Sequence, residues 1–104
     1  MGRIIQQKHC LCRPNMAEEA SQLLSALANA ERLMIVTLLH ETGEMHVNAI
    51  VEILGANRAS LSRQLARLRD QSIVTTRRKH NRIYYALNHS KAAALIKTIS
   101  HVMS

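Results

Sequence analysis

The chain has 104 residues, room for one domain with a single modest core. Apolar residues make up 47%, which excludes a disordered chain. Aromatic residues make up only 2%, Tyr84 and Tyr85 alone, so the core must be built from Leu, Ile, Val, Ala and Met. The formal charge of +7 excludes an acidic binding surface over the second half, because six of the seven acids precede residue 53.

Residues 1–14 show no amphipathic period and read as a mobile arm ahead of a domain over 15–104. The start has no apolar stretch of signal-peptide type, and no segment has the apolar length of a membrane span. A cytoplasmic protein with no membrane partner is expected, with Cys10 and Cys12 reduced. Asn15 is a candidate cap for a first helix, with Glu18 completing a capping box and Leu23, Leu24 and Leu27 as its stripe. A second helix should follow Asn29, carry Leu33, Val36 and Leu39, and close at Gly43 in the left-handed conformation.

Val47, Ile50, Val51 and Leu54 then mark a short helix closed by Gly55. Asn57 is placed to cap another, running to about Arg69 with Leu61, Leu65 and Leu68 inward. A short helix, a glycine turn and a second helix rich in Arg, Ser and Gln form a helix-turn-helix. Ile73–Arg78 and Arg82–Leu87 alternate as strands around a loop at Lys79-His80-Asn81, which makes a basic wing. A final helix from about Ser90 to Met103 offers Ala94, Leu95, Ile99 and Val102 for packing. The fold class is mainly α with a small β-hairpin: a winged helix-turn-helix of five helices and a two-stranded wing. A chain this small is expected to complete its burial as a homodimer.

Eight of the fourteen Lys and Arg lie between Arg58 and Arg82, with Asp70 as the only acid among them. Such one-sided charge is the footprint of a polyanion-binding face. Arg58, Ser60, Ser62, Arg63 and Gln64 open the recognition helix, the end that enters the major groove. Arg can grip guanine and Gln adenine, each with two hydrogen bonds. Arg67, Arg69, Arg77, Arg78, Lys79 and Arg82 are placed for phosphates, which set affinity without reading sequence. The partner implied is double-stranded operator DNA.

The chain resembles the ArsR/SmtB family of winged-helix repressors from about Ala17 to Ile99. The resemblance is carried by Leu27-Ala28-Asn29-Ala30-Glu31-Arg32-Leu33 with Ile35-Val36, and by Gly43-Glu44-Met45-His46-Val47. It continues in Ser60-Leu61-Ser62-Arg63-Gln64-Leu65, Val74-Thr75-Thr76-Arg77-Arg78 and Arg82-Ile83-Tyr84-Tyr85. It implies a dimer joined through the first and last helices, and repression relieved by an inducer.

It also implies a use for the cysteines. Metal-sensing relatives donate thiols from an N-terminal arm to the partner's third helix, where the family motif begins at the position of His46. Cys10, Cys12 and His46 would then hold a thiophilic ion such as zinc, cadmium, arsenite or copper, with His9 as a fourth ligand. The chain departs from that motif at Asn48 and Ala49, and His89 and His101 do not match the spacing of the family's second site. Two other readings of Cys10 and Cys12 stay open: redox-sensing thiols beside Lys8 and Arg13, and a passive tail. A ligand-independent regulator and a basic protein-interaction module are the alternative functions. No Gly-rich phosphate loop, paired carboxylates or nucleophile–base motif is present, so no enzyme is expected.

Overall fold

The computed structural model describes residues 11–104. In chain order these form α1 (Pro14–Leu27), α2 (Ala30–Thr42), β1 (Glu44–His46), α3 (Val47–Leu54), α4 (Arg58–Asp70), β2 (Val74–Lys79), β3 (Arg82–Leu87) and α5 (Ser90–Met103). This is the expected winged helix-turn-helix, with one strand added.

Side-chain caps set most helix starts. Asn29 and Asn57 act as expected, each Oδ1 accepting from the N–H three residues on, Arg32 at 2.9 Å and Ser60 at 3.0 Å. His46 and His89 cap α3 and α5 through Nδ1, accepting from the N–H of Asn48 at 3.2 Å and of Ala92 at 3.1 Å. Asn15 is not a cap. α1 begins one residue earlier at Pro14, whose fixed φ and missing N–H suit the first helical position, so the last residue of the expected arm belongs to the helix. Gly55 closes α3 in the left-handed region, as expected. Gly43 closes α2 as expected, its N–H donating to Leu39 O at 2.9 Å, but with φ 93° and ψ −98° it lies outside the left-handed helical conformation and turns the chain straight into β1.

That strand, three residues long, is too short to show an alternation in the sequence. It makes the sheet three-stranded and antiparallel, in the order β1-β3-β2. The wing is tighter than expected, because Lys79 pairs with Arg82 and leaves only His80 and Asn81 in the turn. Both have positive φ, 51° and 65°, the backbone that a two-residue hairpin of matching twist needs.

α2 runs through the centre, burying Ile35, Val36 and Leu39 against Ile50 of α3 and Leu61, Leu65 and Leu68 of α4. Ile73, Val74, Ala92 and Ile96 complete the core with Leu27, the one buried residue of α1. Leu24 stays 51% exposed. On α5, Ala94 and Val102 are exposed and Leu95 and Ile99 half-buried, so the packing residues expected there lie largely outside the core. An open groove of about 370 Å³ runs between α1 and α5, lined by Leu11, Leu23, Leu24, Ala94, Leu95 and Thr98. No single helix among the described residues is long and apolar enough to cross a membrane.

Candidate nucleic-acid interface

Three side-chain bonds lock α4 against the rest of the fold. Ser60 Oγ donates to Glu31 Oε1 of α2 at 2.6 Å. Arg32 Nη1 donates to Gln64 Oε1 at 2.6 Å, and Arg58 Nη1 donates to Asn48 Oδ1 of α3. Arg32 is 8% exposed and carries the most: its Nε donates to Ala26 O at 2.7 Å and its Nη2 to Ser25 O at 3.5 Å. One guanidinium therefore ties the end of α1 to the middle of α4. Burial, and then the nearby Arg67 charge, lower its pKa from the ordinary arginine value.

These bonds involve part of the expected reading face. Ser60 and Gln64 are half-buried, because they flank the Leu61–Leu65–Leu68 stripe on the side that meets α2. Arg58 is exposed but held by Asn48. Beyond Arg58, the exposed residues of α4 are Ala59, Ser62, Arg63, Ala66, Arg67, Arg69 and, at its end, Asp70. No acid stands in the first turn of α4, so the positive end of the helix is left open to an anion.

The strand register divides the wing. Arg77, Lys79, Arg82 and Tyr84 share one face, and Arg78 lies opposite Ile83 on the other. Arg77 is committed to the fold: it reaches across β3 to Glu44 of β1, with Nε 2.9 Å from Oε2 and Nη2 2.6 Å from Oε1. The pair holds the Glu44 carboxyl below its ordinary pKa and the Arg77 guanidinium above its own. Its contribution is present above the unfolded carboxylate pKa and is lost as pH falls through the lowered one. Both groups are solvated, so it is small. The other ion pair among the described residues joins Lys91 to Glu19. Arg63, Arg67, Arg69, Arg78, Lys79 and Arg82 are in neither.

The expected thiol site is only partly within the described residues. Cys10 and His9 lie outside them, and Cys12 is exposed just ahead of α1. His46 sits at the junction of β1 and α3, where Nδ1 is spent on the α3 cap and the ring leans on Tyr84 at 5.8 Å. No group of three metal-ligating side chains occurs among the described residues. Glu31, Arg32 and Asn48 support α4 without having stood out in the sequence. Their partners are far along the chain, and the available signal is an arginine three residues after a cap, facing a core stripe.

The geometry has counterparts. The family described as "Bacterial regulatory protein, arsR family" matches residues 29–76, from the α2 cap to the middle of β2. The chain is 40% identical over 83 residues to a biofilm growth-associated repressor of Xylella fastidiosa, covering 80% of this chain and 72% of that protein. It is 31% identical over 83 residues to an arsenical resistance operon repressor of Staphylococcus aureus, covering 80% and 79%. The crystal structure of the transcriptional repressor BigR from Xylella fastidiosa superposes with a TM-score of 0.85 at 33% identity, covering 97% of this chain and 98% of that one. With its helix-turn-helix, wing and core matched across most of both chains, the protein belongs to the arsR family and is a DNA-binding transcription regulator, not an enzyme.

Proposed function

We propose that the protein is a cytoplasmic repressor that binds operator DNA as a homodimer through α4 and the wing, and leaves it when an inducer binds. The observation that carries this reading is the exposed set Ser62, Arg63 and Arg67 on α4 with Arg78, Lys79 and Arg82 on the wing, whose cations are in neither ion pair of the described residues. Arg58 joins the set from the start of α4. Ser60, Gln64 and Arg77 support it, since their side chains are bonded within the fold.

Arg63 is the reading residue in this proposal. Arg63→Ala should weaken specific binding by about 1–3 kcal/mol and relax the preference at one base pair. Binding isotherms on matched and scrambled duplexes test this, and an equal loss on both would make Arg63 a phosphate contact. The wing adds phosphate affinity. Replacing Arg78 and Lys79 together by Ala should flatten the slope of log affinity against log salt by roughly one to two units. An unchanged slope would place the wing off the DNA.

The inducer reading is that Cys10 and Cys12 meet a thiophilic species, a soft metal or metalloid ion or a thiol oxidant. It is supported by the exposure of Cys12 at the head of α1 and by a relative named for arsenical resistance. His46 is the weakest member of the expected ligand set, since ligation through Nδ1 would cost the α3 cap. Cys10→Ser with Cys12→Ser should leave folding and DNA binding intact and abolish release by the inducer. Release assays with zinc, cadmium, arsenite, copper(I), peroxide and polysulfide decide it. Equal behaviour of the two proteins throughout would make the cysteines a passive tail.

A further inference from the structure

The bonds that lock α4 also limit what it can read. Ser60 and Gln64 are held by Glu31 and Arg32, and Arg58, exposed at the first position of the helix, is bonded to Asn48, which leaves Ala59, Ser62, Arg63 and Ala66 as the exposed face of the next two turns. Arg63 is the single long side chain on that face. Of its neighbours one turn away, Ala59 and Ala66 carry only methyl groups and Arg67 is the next exposed long side chain, so the helix backbone can approach the groove floor closely on the Ala59 side.

We propose that each half-site is read by Arg63 on a guanine and by the Ala59 methyl packed on the C5 methyl of a thymine. Ala59 lies four residues before Arg63, just over one helical turn or about 6 Å along the axis. Base pairs are stacked about 3.4 Å apart, so the thymine falls one or two steps from the guanine. Alanine against a thymine methyl is a recognised apolar contact of the major groove, as arginine on guanine O6 and N7 is a polar one. Ser62, short and able to donate or accept, selects no base strongly.

The inference rests on the reading of α4 as the DNA-reading helix. The experiment selects duplexes from a random pool with the full-length protein, then modifies the selected operator. The expected half-site holds a guanine with a thymine one or two steps away. Replacing that thymine by uracil, which deletes only the methyl, should weaken wild-type binding about fourfold, the value of one buried methyl group. Replacing the guanine by 7-deazaguanine should cost tenfold or more. Ala59→Gly, exposed and outside the three locking bonds, should bind the thymine and uracil operators equally, while Ser62→Ala keeps the fourfold difference. No thymine enrichment near the guanine, or a uracil penalty unchanged in Ala59→Gly, would overturn the assignment while leaving DNA reading intact. A pool with no enriched sequence would sink the DNA reading and this inference with it.

Discussion

Arg32→Ala should unfold about 12–24 °C below the wild type, the largest loss expected of any polar substitution in the domain. The guanidinium donates to Ser25 O and Ala26 O at the end of α1 and to Gln64 Oε1 of α4. Deleting it leaves Ala26 O and Gln64 Oε1, both on half-buried residues, without their donor, and an acceptor left buried without a partner costs about 1–3 kcal/mol. The aliphatic stem is lost as well. A total near ~3 kcal/mol, at roughly 4–8 °C per kcal/mol for a domain of this size, gives that range. Arg32→Lys should recover less than half, because one ammonium cannot span the α1 carbonyls and Gln64 as the planar fork does. Thermal unfolding at fixed protein concentration measures both. A drop of less than about 3 °C for Arg32→Ala would show that water replaces the guanidinium and that the tie between α1 and α4 is weak.

The same residue shows where sequence reading stops. Caps, stripes and glycine turns act over three or four residues, so Asn29, Asn57, Gly55 and the Leu61–Leu65–Leu68 face can be read directly from the chain. β1 cannot. Three residues carry no period, and their strand character comes from pairing with Tyr84, Tyr85 and Ala86, far along the chain. The DNA face is legible as a charged segment but not as a set of free side chains. Arg, Ser and Gln near the start of a recognition helix all look like readers in one dimension. Only the packing of α2 on α4 separates Arg63, which is exposed, from Gln64, which is bonded to Arg32. His46 shows a related limit. A histidine before a helix is an N-cap acceptor as readily as a ligand, and the bond from the Asn48 N–H shows the cap in place.

Leu24→Glu should convert the protein to a folded monomer that no longer binds its operator. Leu24 is 51% exposed in the last turn of α1, whose one buried residue is Leu27, with Leu23 and Ala26 partly buried against the core. Leu23, Ala94 and Leu95 extend the apolar surface across the groove to α5, and Val102 and Met103 continue it at 71% and 79% exposure. Apolar surface of that extent on two adjoining helices of a small domain calls for a partner, and in the proposed homodimer a second copy would supply it. Burying the introduced carboxylate in the proposed interface would cost several kcal/mol through desolvation. The domain core is untouched, because Leu24 makes no part of it. Operator binding should fall by orders of magnitude, since a monomer holds one half-site with half the phosphate contacts. Sedimentation with circular dichroism separates the outcomes: a folded monomer is expected, and a dimer that persists with native helicity would place the interface elsewhere.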